Sequence, residues 1–102
     1  MTLEQVRKDL IEIRDYYSME EYIKKTSCVV VPEGILKKVD LYNKAMSNCP
    51  TKLFMVFVAL YVQNNSQQAV ADDWGFCREH VRRLNKKLCE FLVKALIEIE
   101  EK

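Results

Sequence analysis

Residues Ser66 to Lys87, SQQAVADDWGFCREHVRRLNKK, decide how this chain is read. The stretch has the residue types that a helix-turn-helix needs at fixed offsets. Two short helices crossing steeply touch most closely at one position, where only a small side chain fits, and Ala71 stands there. A few residues on, the chain must reverse through the left-handed backbone region, which glycine reaches without steric cost, and Gly75 stands there. Val70 and Trp74 flank Ala71 on the side expected to be buried, and Phe76 closes the turn. Val81 and Leu84 form the inner face of the second helix. Ser66 is placed to cap the first helix, its hydroxyl accepting the amide of residue 68 or 69.

The second helix differs from an ordinary hairpin arm in what it shows to water. Val81, Leu84 and Leu88 recur at steps of three and four and define an inner line. Arg78, Arg82, Arg83, Lys86 and Lys87 take much of the remaining circumference, so Phe76 to Cys89 carries five bases against Glu79, or +4, in a chain of net charge +1. The rest of the chain is therefore acidic. A basic face standing in solvent is the ordinary alternative. Beside a helix-turn-helix pattern, the concentration points to a recognition helix, about residues 77–88, lying in a major groove. Arg78, Glu79, Arg82, Arg83 and Lys86 are expected to reach base edges or flanking phosphates, arginine taking guanine in a bidentate contact and Glu79 accepting from cytosine. Lys87 and His80 are expected at the backbone, although His80 reads equally well as a surface imidazole without a role. Gln67 and Gln68, at the start of the first motif helix, are placed to meet a phosphate. The distal half, Glu90 to Lys102, is acidic and should point away from DNA.

A chain of 102 residues is read as a single domain, with N-terminal helices over residues 1–50 serving packing or dimerisation and the DNA-binding region over 51–102. Two glycines and two prolines leave few turns for a many-stranded sheet, so an all-α fold of about five helices is expected. The N-terminus runs directly into a charged amphipathic segment without a signal-peptide pattern. The longest apolar run, Leu53 to Val62, is too short to span a bilayer. Cys28, Cys49, Cys77 and Cys89 are irregularly spaced without a C-x-x-C, and are read as reduced thiols of a cytoplasmic protein. Cys77 and His80 lie one helical turn apart, but Cys89 is three turns away, so no zinc site is expected. With one histidine, no glycine-rich phosphate loop and no convergent carboxylates, the chain is expected to be neither an enzyme nor a cofactor binder.

In chain order, Thr2 begins a capping box in which Gln5 reaches back to the first free amide. Leu3, Val6, Leu10, Ile13 and Tyr17 form a heptad-like seam carried to about Lys25, with Tyr16, Tyr17 and Tyr22 clustered near its end. The seam packs inside the domain or against a second copy; spacing alone does not choose. Cys28 to Val31 is β-branched and ended by Pro32, predicting an extended connector followed by a helix with Pro32 in its first turn. Ile35, Leu36, Val39, Tyr42 and Met46 give that helix its apolar face, and it should stop near Asn48, before Pro50. Thr51 is the expected cap of the next helix, whose ten-residue apolar run should form the centre of the core, contacted from several sides. Of Asp72 and Asp73, which diverge around the helix, one is expected to pair with an arginine of the last helix. That helix should run from Cys77 or Arg78 to about Glu100, its seam continuing from Leu88 through Phe91, Ala95 and Ile99.

Gln67, Ala69, Val70, Ala71, Trp74, Gly75, Phe76, Val81, Arg82 and Arg83, preceded by Leu60-Tyr61-Val62, resemble the helix-turn-helix of sigma-factor region four. The chain is similar to the small sigma-like regulators of phages and prophages of low-GC Gram-positive bacteria, the RinA/ArpU type. The resemblance is specific over Leu60 to Leu88. It implies a DNA-binding transcriptional regulator, with RNA polymerase as a further partner. There are two departures. There is no space for a promoter-melting domain, and Cys77 stands where such motifs place a serine or threonine cap. The rival class is a protein-interaction adaptor that mimics region four and binds polymerase or another regulator without reading DNA, which the near-neutral total charge favours. A homodimer is expected, because one helix reads few base pairs and single modules pair to read two half-sites; the seams Leu3 to Tyr17 and Leu88 to Ile99 are the surfaces available for it.

Overall fold

The computed structural model describes residues 2–26 and 33–100, all of whose regular elements are helical. In chain order they are α1 (Leu3–Thr26), α2 (Glu33–Ala45) with a 3₁₀ turn (Met46–Asn48), α3 (Thr51–Phe57) running into a π turn (Val58–Val62), α4 (Gln67–Trp74) and α5 (Arg78–Glu100). The extended connector expected at Cys28–Val31, Pro32 in the first turn, and the side chain of Tyr22 lie outside the described residues.

Helix α1 starts where Thr2 Oγ1 accepts the amide of Gln5 at 3.2 Å. The capping box is only half made. Instead of accepting the Thr2 amide, the Gln5 side chain turns to Asp9, Nε2 donating to Oδ1 at 2.9 Å in a bond strengthened by the carboxylate's charge. Val6, Leu10 and Ile13 are buried, with Leu3 and Tyr17 half-buried against the same core. The seam is thus consumed within the chain, against α2, α5 and the π turn, and is not free for a second copy. On α2, Val39, Tyr42 and Met46 are buried and Ile35 half-buried, but Leu36 is exposed. Adjacent residues diverge by about 100° on a helix, and α2 is covered on one side only.

The apolar run does form a helix, with two differences from expectation. Pro50, not Thr51, holds the cap position, without a side-chain cap. Val56, Phe57, Ala59, Leu60 and Tyr61 are buried, whereas Phe54 and Met55 remain 46% and 50% exposed. The run is covered on one side by α1, α4 and α5, and nothing described lies over the other. In the π turn the Gln63 amide reaches Val58 O at 2.8 Å, five residues back. This looser winding lets consecutive Ala59, Leu60 and Tyr61 all face inward. Asn64, at φ 58°, then reverses the chain in the left-handed region that asparagine tolerates.

The motif forms as its residue types require. Ser66 Oγ accepts Ala69 N at 3.0 Å, Gly75 sits at φ 73°, and the amides of Gly75 and Phe76 both reach Ala71 O. Val70 and Ala71 are buried; Trp74, expected alongside them, is half-buried. On α5 the inner line is Val81, Leu84 and Leu88, then Leu92 and Leu96, with Cys89 also buried. Phe91, Ala95 and Ile99, expected to continue the seam, are half-buried. The buried face swings toward Cys89 because α1 covers that flank. The Leu3–Tyr17 seam thus packs within the chain, whereas Phe91, Ala95 and Ile99 of the second seam line an open groove beside Ala45.

Asp9, 3% exposed, holds α1 to α2. Its carboxylate accepts from Gln5, from Tyr42 Oη at 2.7 Å and from Lys38 Nζ at 3.0 Å, and Lys38 also bonds Glu12. Burial, reinforced by the Asp9 carboxylate, pushes the Tyr42 phenol far above its ordinary value. The bond to Glu12 raises Lys38 against its own desolvation. Among the described residues no buried side-chain nitrogen or oxygen lacks a partner. Tyr42→Phe removes one donor from a carboxylate that water does not reach and should lower unfolding free energy by about 1–3 kcal/mol in urea titrations. Gly75→Ala adds a Cβ that meets nothing within 4 Å, so its cost is backbone strain alone. It should lower stability by about 1–2 kcal/mol, read as a lower Tm.

Candidate nucleic-acid interface

Burying Val81, Leu84 and Leu88 determines what α5 presents outward. At about 100° per residue, Glu79, Arg82, Arg83 and Lys86 share one arc opposite Leu88, with Arg78 and Lys87 on its two flanks. All six side chains are exposed. The side chains of Arg82 and Arg83 are 73% and 72% exposed, and both approach the carboxylate of Glu79, at 3.7 and 3.8 Å. Ion pairs this open to water contribute about 0–1 kcal/mol. They leave the guanidinium groups uncommitted, and an incoming anion can displace them. Glu79, expected to accept from cytosine, is the shared partner of two arginines.

Gln67 is half-buried and Gln68 exposed at the start of α4. Gln68 Nε2 donates to Asp72 Oδ1 at 2.9 Å, which takes up that amide locally. The expected pairing of Asp72 or Asp73 with an arginine of α5 does not form. Asp72 is turned back along its own helix, and the arginines' ion pairs within α5 go to Glu79. At the turn, the Phe76 ring stays exposed and meets His80 edge-on at 4.5 Å and Trp74 at 6.4 Å. His80, half-buried beneath that ring, braces the turn as well as lying near the basic face.

One tie escapes a reading of the pattern alone. Tyr61 Oη donates to Asn85 Oδ1 at 2.6 Å, fastening the π turn to the middle of α5. Burial pushes the Tyr61 phenol up to about 12. The available signal was Asn85 itself, a short amide at the edge of the apolar line where the outward positions are charged.

A groove of about 590 Å³ runs between α3, the π turn and α4, lined by Phe54, Met55, Val58, Val70 and Trp74 with Asp73 at its edge. Cys49, Cys77 and Cys89 are free thiols, and among the described residues no three His, Cys, Asp or Glu side chains gather to hold a metal. No helix of the described residues is long and apolar enough to cross a membrane. Compared with protein-family models, curated proteins and solved structures, the chain matches none.

The three thiols should differ in reactivity. Cys77 is exposed, whereas burial pushes Cys49 and Cys89 up. Iodoacetamide at neutral pH should therefore alkylate Cys77 in the native protein and reach Cys89 only after denaturation. Peptide mapping reads the order; early labelling of Cys89 contradicts the α1–α5 packing.

Proposed function

We propose that this protein is a sequence-specific double-stranded DNA-binding transcriptional regulator that lays α5 in the major groove. It acts by binding, without catalysis or a cofactor, in the cytoplasm. The observation that carries the reading is the outward arc of Arg82, Arg83 and Lys86 on the helix that follows a left-handed glycine turn. Between Arg78 and Lys87 the acid is Glu79, and its weak pairs with the arginines are readily exchanged for phosphate. Arg78, Arg82, Arg83 and Lys86 meet base edges and flanking phosphates, Glu79 reads a cytosine once released, and Lys87 takes the backbone. Gln67 and Gln68 approach a phosphate at the start of α4. The resemblance of Leu60 to Leu88 to sigma region four supports the same reading, and with it a phage or prophage regulator of the RinA/ArpU type. A homodimer would read two half-sites about 34 Å apart, pairing through the half-buried Phe91, Ala95 and Ile99 of the second seam. A monomer mass by light scattering at micromolar concentration would refute that state.

The groove beside Phe54 and Met55 favours a second reading, an adaptor that mimics region four and holds RNA polymerase or another regulator without touching DNA. Selection from random duplexes, followed by titration of the enriched site at increasing salt, decides between them. The DNA reading expects an enriched sequence and a steep salt dependence, equivalent to about four to five released counterions per protomer. Arg82→Ala/Arg83→Ala should then abolish retention on DNA. An enriched partner protein, with no enriched duplex and no effect of the double substitution, establishes the adaptor instead.

A further inference from the structure

The distal half of α5 carries more apolar surface than the core uses. Leu92 and Leu96 are buried, and Phe91, Ala95 and Ile99, at steps of four, form a half-buried line beside them. That line is one wall of a groove of about 430 Å³ between α5 and the end of α2 with its 3₁₀ turn, which contribute Ala45 and Ser47. Lys94 and Glu98 of α5 and Lys44 of α2 rim the groove, all three exposed.

The rim charges on α5 are arranged to fit a second copy of the same surface. Lys94 and Glu98 are four residues apart, so about 40° separates them around the helix and both lie on one flank of the Phe91–Ala95–Ile99 line. Among the described residues neither makes an ion pair. A lysine placed before a glutamate at this spacing is the weaker order for pairing within one helix. When a second α5 is turned antiparallel about a twofold axis at Ala95, residues equally far before and after Ala95 face one another. Phe91 meets the partner's Ile99, and Lys94 comes within side-chain reach of the partner's Glu98, twice by symmetry. Ala95 meets its own copy at the centre, and its small side chain lets the two axes approach to about 8 Å. A parallel pair loses this match. It sets Lys94 beside the partner's Lys94, Glu98 beside the partner's Glu98, and one basic half of α5 against the other, like charges throughout.

We propose that two copies pair antiparallel through this line, with Ala95 at the twofold axis and Lys94 and Glu98 forming reciprocal ion pairs. This rests on the homodimer of the DNA-binding reading and gives it sense, register and charge pairs. The two basic arcs then stand at opposite ends of the paired helices, so dimerisation and DNA contact use separate halves of α5.

The test is the association constant of the full chain, measured by sedimentation equilibrium over micromolar concentrations. Wild type should sediment as a dimer. Lys94→Glu alone and Glu98→Lys alone each turn two attractions into two repulsions and should weaken association by about tenfold. The double change Lys94→Glu/Glu98→Lys exchanges the charges and should restore wild-type association. An equimolar mixture of the two single variants should form a heterodimer tighter than either variant alone. Melting curves show that each variant is folded, and Lys94→Gln or Glu98→Gln, with a smaller loss, replaces one that is not. A monomeric wild type overturns this inference together with the homodimer. A dimer whose folded single variants associate as tightly as wild type, as parallel pairing or another face predicts, overturns this inference alone, and so does a double variant that stays weak. A dimer that behaves as expected but selects no duplex overturns the DNA reading and leaves the interface standing.

Discussion

Helix α5 has to be a core rod and an exposed charged surface at once, and everything else in the structure is arranged around that constraint. Val81, Leu84, Leu88, Leu92 and Leu96 need cover along the whole helix, and α1, α2, α3 and α4 supply it in turn. Once that line is buried, helix geometry leaves Arg82, Arg83 and Lys86 nowhere to go but outward. A charged guanidinium cannot follow the leucines inward without an unpaid desolvation cost. The exposure of the basic arc is thus a consequence of apolar burial, and it does not rest on any contact that the arginines make.

Two polar ties fix how the covering helices sit. Asp9 joins α1 to α2 through Tyr42 and Lys38, and Asn85 joins α5 to the π turn through Tyr61. Apolar contact is non-directional and tolerates small slides of one helix over another. A buried carboxylate or amide accepts partners only in a narrow geometry, so these bonds set register where leucines alone would leave it loose. The π turn contributes to the second tie by turning Tyr61 inward next to Leu60 and Ala59, three consecutive side chains that a tighter helix would spread around its axis.

Charge separation also belongs to the fold. A net charge of +1 says little about a surface. On α1 the carboxylates of Asp9 and Glu12 are drawn to Lys38 of α2. Arg82 and Arg83 share the single carboxylate of Glu79, in pairs open to water. On the proposed reading, this separation lets a nearly neutral protein present a strongly positive face to DNA.

The sequence by itself determined the helical class, the element boundaries to within a residue or two, and the motif from Ser66 through Gly75 to Leu88. These follow from local rules: a hydroxyl cap, a left-handed glycine and a repeat of three and four need only neighbours in the chain. It also determined which basic residues would be exposed on α5, since a helix with one apolar line has only one other side. Tertiary structure alone decided what covers each face. Phe54, Met55 and Leu36 are as apolar as the residues that were buried, and their exposure reflects where no partner helix arrives. The same holds for the shift of the α5 seam to Leu92 and Leu96, for the use of the α1 seam inside the chain, and for Asp9, whose role required Tyr42 and Lys38 to come from 33 and 29 residues away. Periodicity gives the direction of a side chain relative to its own helix; what it meets there is set by where the chain returns.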